Sequence, residues 1–238
     1  MNEIYPLWML KYLPNMPACH VAIAVDARGP NNTIVLGEVS SLLAVAEAVR
    51  VIRRGRADAM IAGGTSTRLH PTMLVRATMW EPSQRKDDPQ AACRPFDADR
   101  DGMVSGEGAA AFVLESRRSA EARGAKILAR IIGAGNAFAL PERGLPHPGG
   151  ATERVIREAL ASADRSPQDV GHVNAHGLST RDDDRVEAEA IATVVGDTPV
   201  IAPKSYFGNL GAGSGAVEMA ASVLALAKRK LPPTLNYE

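Results

Sequence analysis

The chain has 238 residues, enough to bury a sizeable core as one large domain or two small ones. Its 27 basic and 27 acidic residues cancel and no apolar run approaches the ~20 residues that span a bilayer, so neither nucleic acid nor a membrane is expected as a partner and the chain reads as cytoplasmic. Cys19 and Cys93 are too few and too isolated for a disulfide scaffold or a zinc site, so both are expected as free thiols, with no metal or cofactor.

In chain order, a short β-branched run over 33–36 enters a tight turn at Gly37, and a helix over Ser40–Arg54 follows, with apolar residues recurring at three and four. That pattern is a strand–turn–helix elbow, which exposes Glu38 beside backbone N–H groups at a helix N-terminus. The apolar run Ala59-Met60-Ile61-Ala62 predicts a strand over Asp58–Gly63 buried on both faces. Charge, Pro and Asp from Pro82 to Asp101 predict a long surface loop, and Gly108–Glu115 a second buried strand with a short charged helix to about Gly124. A third strand is expected over Ile127–Gly133, a Gly/Pro loop at 141–150 and a helix over Thr152–Ser162. Then come a strand over Gly171–Ala175 ending before His176, a helix over Asp182–Val195, a strand over Pro199–Ala202 ending before Lys204, and a last helix over Gly213–Lys228. Strand alternating with helix predicts an α/β fold with mainly parallel pairing.

Four segments carry chemistry. They are the elbow Gly29-Pro30 through Leu43; Cys93-Arg94-Pro95-Phe96-Asp97 running on to Gly106-Glu107-Gly108; Asn174-Ala175-His176-Gly177-Leu178-Ser179-Thr180; and Lys204-Ser205-Tyr206-Phe207-Gly208-Asn209 with Gly211 and Gly213. In this order they resemble the β-ketoacyl-acyl carrier protein synthases of the thiolase superfamily, the condensing enzymes of fatty acid and polyketide synthesis. The resemblance implies a layered αβαβα thiolase-like fold, with residues 1–124 the later part of its first half and 125–238 the earlier part of its second. It covers only the middle of the family's span, so the chain is expected to be either a fragment of a longer protein or a shortened member that needs a partner. The glycines at 208, 211, 213 and 215 do not read as a phosphate loop, because Lys204 precedes them, and Gly106-Glu107-Gly108 leads into a strand where a dinucleotide fingerprint needs a helix.

In the family the elbow residue is a cysteine that takes the acyl group as a thioester. Here it is Glu38, which has no sulfur and cannot form that intermediate, although a carboxylate at a helix start imitates the charge of a thiolate. His176, past a strand end where α/β sheets bind ligands, matches the family's first catalytic histidine. Lys204 matches its active-site lysine, and Glu187 or Glu189 its supporting glutamate. Asn209 stands where elongating synthases carry a second histidine and initiating synthases an asparagine; both side chains offer an N–H to a carbonyl.

Two functions follow from the resemblance. One is a synthase homologue acting on malonyl or acyl thioesters delivered by acyl carrier protein, at most decarboxylating, with His176 and Asn209 as carbonyl donors and Lys204 in support. The other is a non-catalytic partner resembling the chain-length factors. Either implies a dimer, with a second copy or with a cysteine-bearing synthase, joined near the Ser40–Arg54 helix and the strand after it.

Overall fold

The computed structural model describes residues 8–77, 81–139 and 149–238. Helix α1 (Met16–Ala24) precedes the elbow, and α2 (Ser40–Arg53) follows it as expected. Ser40 fixes the start of α2, since its Oγ accepts the Leu36 N–H at 2.8 Å and donates to the Gly37 carbonyl at 2.6 Å. Gly37 reverses the chain at φ +63°, a conformation that favours glycine. The run expected as the elbow's strand forms none: Val35 and Leu36 are exposed, and no neighbouring strand offers 33–36 a ladder among the described residues.

β1 (Ala59–Thr67) pairs antiparallel with β2 (Glu107–Glu115), from Ala59 opposite Glu115 to Thr67 opposite Glu107. Between them the chain makes a long excursion containing α3 (Pro71–Ala77). It returns beside its departure point, where the Arg68 N–H meets the Gly106 carbonyl at 3.0 Å. That return makes a wide hairpin in place of a crossover, and a hairpin must pair antiparallel. Among the named strands of the described residues the expected parallel pairing joins β3 (Val173–Asn174) to β4 (Val200–Ile201), with isolated parallel bridges at Pro82–Met103 and Ser105–Asn209. β1 and β2 are also not buried on both faces. Ala62 lies in a cluster with Val45 and Ala48 of α2, whereas Ile61 and Val113 are exposed.

After the short α4 (Arg117–Ala122), the strand expected over Ile127–Gly133 is absent. The segment runs instead along α5 (Gly149–Ala163), held by Ser162 Oγ on the Ala134 N–H and Glu158 on the Asn136 N–H. The contact is close enough that a Cβ on Gly133 would meet the Ala159 carbonyl at 2.5 Å. Of the loop expected at 141–150, residues 141–148 lie outside the described residues, and Gly149 and Gly150 open α5. A second core joins Ala175 to Ile191, Val194 and Val195 of α6 (Arg181–Val195), with Ile156 and Leu160 of α5 against it. The single turn α7 (Lys204–Phe207) and the helix α8 (Ser214–Lys228) complete the described part. No helix among the described residues is long and apolar enough to cross a membrane.

Candidate active site

Four loops meet beneath the start of α2. Glu38 sits in a 3-10 turn, Gly37–Val39, immediately before that helix. His176 lies two residues past β3, Lys204 opens α7 beyond β4, and Asn209 follows Gly208 (φ +74°) in the turn between α7 and α8. Asn209 is pinned by its backbone, with its N–H on the Val104 carbonyl at 2.7 Å and its carbonyl accepting the Gly106 N–H at 3.0 Å.

The Asn209 side chain is oriented by its acceptor end. Oδ1 takes the Gly211 N–H at 2.9 Å, which turns the amide nitrogen toward Glu38, at 3.1 Å from Oε1. Arg68, just past β1 and only 8% exposed, donates to the same carboxylate oxygen. Burial pushes the Glu38 carboxyl up, but the Asn209 hydrogen bond and the Arg68 charge outweigh it and hold the group below the usual carboxylate range.

Around Lys204 the accounting closes. Its Nζ donates to the His176 carbonyl at 2.7 Å, faces His176 Nδ1 at 3.0 Å and pairs with Glu218 of α8. An ammonium has three N–H donors and no acceptor, so with all three in use Nδ1 must be the accepting nitrogen and the ring proton resides on Nε2. Protein packed around the ring, followed by the Lys204 charge, pushes the imidazole down to about 3, so His176 stays neutral near pH 7. The result is a fixed, uncharged N–H donor. Burial raises the Glu218 carboxyl, with Lys204 pulling it back.

The His176 loop is itself held by two carboxylates one turn apart on α6. Glu187 accepts the N–H groups of His176 and Gly177 at 2.7 and 2.8 Å, and Asp184 those of Leu178 and Ser179 at 2.8 and 3.0 Å. Asp184 also takes the Phe96 N–H at 2.8 Å, tying in the Cys93–Asp97 segment. Four successive amides captured this way support Ser179 at φ +69°, a conformation that costs a non-glycine residue free energy.

The structure thus brings Glu38, His176, Lys204 and Asn209 together. Between the two glutamates the sequence left open, Glu187 supports the histidine loop, while Glu189 pairs with Arg185 in solvent. Arg68 and Glu218 were missed. Glu218 had a readable signal, being the only acidic residue in an otherwise small and apolar α8. Arg68 had a weaker one, a lone charge closing a strand of small residues.

Comparison with known proteins identifies the family. The model of the beta-ketoacyl synthase N-terminal domain matches residues 1–120, and that of the C-terminal domain residues 128–238. A 3-oxoacyl-acyl-carrier-protein synthase 2 of Mycobacterium bovis is 40% identical over 244 residues, covering 99% of this chain and 58% of that protein. Among solved structures, a type II polyketide acyl carrier protein in complex with its ketosynthase bound to the hexaketide is similar at TM-score 0.94 and 34% identity, over 100% of this chain and 60% of that one. The ishigamide ketosynthase/chain length factor is similar at TM-score 0.84 and 28% identity, over 95% of this chain and 55% of that one. The chain therefore spans a little over half the length of the relatives it matches. With these matches in hand, the chain belongs to the β-ketoacyl synthase family, in its thiolase-like superfamily.

Proposed function

We propose that this chain carries the site of a ketosynthase homologue that takes malonyl thioesters from an acyl carrier protein and removes carbon dioxide without forming an acyl-enzyme. The observation that carries this reading is the Lys204–His176 arrangement, which fixes a neutral Nε2–H donor in the site. Lys204, 1% exposed with all its protons committed, is what holds that donor in place.

The thioester carbonyl would accept from His176 Nε2–H and compete with Glu38 for the Asn209 amide N–H. As the bond between the methylene carbon and the carboxylate breaks, its electron pair passes into the thioester as an enolate and carbon dioxide leaves. The two donors meet the charge where it develops on oxygen. The enolate carbon then takes one proton from water, leaving an acetyl thioester. Glu38 cannot become acylated by the cysteine route, so condensation is not expected. Residues 1–124 and 125–238 are read as portions of the two halves of the fold.

One observation favours a second reading. Glu38 already accepts the N–H of Asn209, as suits a non-catalytic partner that resembles a chain-length factor. In either case exposed Ile61 and Val113 on the β1–β2 ribbon support a dimer contact with a second copy or an active synthase.

The test is mass spectrometry of malonyl-carrier protein incubated with the chain and with His176→Ala, both checked by circular dichroism. Acetyl-carrier protein formed by the parent and lost in the variant is the expected result. No mass loss with a folded parent rejects decarboxylation and leaves the partner reading.

A further inference from the structure

Arg68 has no counterpart among the residues that the decarboxylation needs, yet it is buried and its guanidinium donates to Glu38. Its backbone is fixed by the N–H on the Gly106 carbonyl at 3.0 Å, directly past the last β1–β2 pair, Thr67 opposite Glu107. Space for its side chain is left by Gly211, at φ +60°, where a Cβ would stand 3.2 Å from Arg68 Nε and 3.1 Å from Ser66 Oγ. That same glycine donates the N–H that orients Asn209. One backbone position thus admits the guanidinium and aims the amide, and both converge on Glu38 Oε1.

The arrangement addresses a problem of charge. A malonyl group brings a carboxylate, and its decarboxylation puts negative charge on the thioester oxygen; a bare carboxylate in the nucleophile position would repel both. We infer that Arg68 is a positioning residue, cancelling the charge of Glu38 and turning it against Asn209 so that the site still admits an anionic malonyl group. This rests on the proposal that the site takes malonyl thioesters. The other charged or titratable groups that act electrostatically with Glu38 are His176 from the loop after β3 and Glu218 from α8. Burial and Lys204 keep His176 neutral and Glu218 is itself acidic, so neither can substitute for Arg68.

The test is binding, which needs no turnover. Carrier protein is loaded with a malonyl amide or an acetyl amide in place of the labile thioester, and affinities are measured for the parent, Arg68→Ala, Glu38→Gln and the double variant, each confirmed folded by circular dichroism. Arg68→Ala is expected to weaken the malonyl amide by roughly 10-fold or more while the acetyl amide changes by no more than about 2-fold. The double variant restores the malonyl affinity, and Glu38→Gln alone, which removes one negative charge from the site and keeps Arg68, favours malonyl over acetyl more than the parent does. Lowering the pH toward the carboxyl range recovers malonyl binding in Arg68→Ala and not in the parent, because only there does Glu38 protonate readily. Equal losses for the two probes, no restoration in the double variant, or a parent that binds the malonyl amide no better than Arg68→Ala would overturn the inference. Should Arg68→Ala not fold, the Glu38→Gln comparison with the parent decides the matter on its own. A parent that binds the malonyl amide but yields no acetyl-carrier protein defeats the decarboxylase proposal and leaves this inference standing.

Discussion

The two sides of the site are built to different standards. On the histidine side, three donors of Lys204 meet three acceptors, and α6 and α8 contribute Asp184, Glu187 and Glu218 to hold one loop. On the glutamate side, one carboxylate oxygen is shared by Arg68 and Asn209, and the Glu38 side chain keeps 32% of its surface in solvent. Networks whose members are all satisfied resist change, because removing one partner strands several others in a low dielectric. The Arg68–Glu38 pair opens to water at its carboxylate end, where solvent takes up part of what is lost when it is broken, although Arg68 itself is buried. The difference teaches where this chain can vary its chemistry at smaller cost to its fold, namely at Glu38.

The comparison breaks most visibly at Lys204. Lys204→Met leaves Glu218 buried without a cation and His176 without the donor to its carbonyl, and is expected to cost ~3–5 kcal/mol in urea unfolding. By contrast Glu38→Gln keeps the acceptor for Asn209 and loses only the charge facing Arg68, so roughly 1–2 kcal/mol is expected. Equal losses in the two variants would show that both sides are equally built in. The smallest effect sharpens the assignment of the neutral histidine. With its folded pKa lowered to about 3 from 6.5, His176 refuses a proton that the unfolded chain accepts. Its contribution is therefore intact above pH 6.5 and declines as the pH falls toward 3, by about 1 kcal/mol at pH 5.5. His176→Gln should remove that decline. Glu187 and Glu218, whose carboxyls are raised by burial, titrate in the opposite sense and cancel in the difference between parent and variant. A parent-minus-variant stability that stays flat from pH 7 to 5 would contradict the neutral, Nε2-protonated assignment.

Much of this was legible in the sequence, and the reasons differ by element. Helices α2, α5, α6 and α8 announced themselves through apolar spacing, and their observed ends lie within a few residues of expectation. His176 and Lys204 were expected just past strand ends, and it was the resemblance to the ketoacyl synthases that singled out these two and Asn209. Strand pairing was less readable, because periodicity reports which faces are apolar and says nothing of the partner. Ile127–Gly133 shows this: its apolar residues suit a strand, but no strand forms there, and the backbone just beyond it, at Ala134 and Asn136, bonds side chains of α5. Nor could spacing choose between Glu187 and Glu189, which differ by about half a helical turn and so point to opposite sides. Arg68 meets Glu38 across 30 residues and Glu218 meets Lys204 across 14, each from a separate element, and no local pattern encodes such a meeting.

Cys93 gives the site a further property. Its thiol is buried, donates to the Lys204 carbonyl at 3.1 Å, and is pushed up to about 12 by burial and the nearby Asp184. At pH 8 only about one molecule in ten thousand would carry the thiolate that reacts with electrophiles. Glu38 offers no sulfur at all. An alkylating inhibitor designed for the acyl-accepting cysteine of a condensing synthase would pass this site by, so in a mixture of the two proteins the covalent label would mark the cysteine-bearing enzyme and leave this chain's pocket silent.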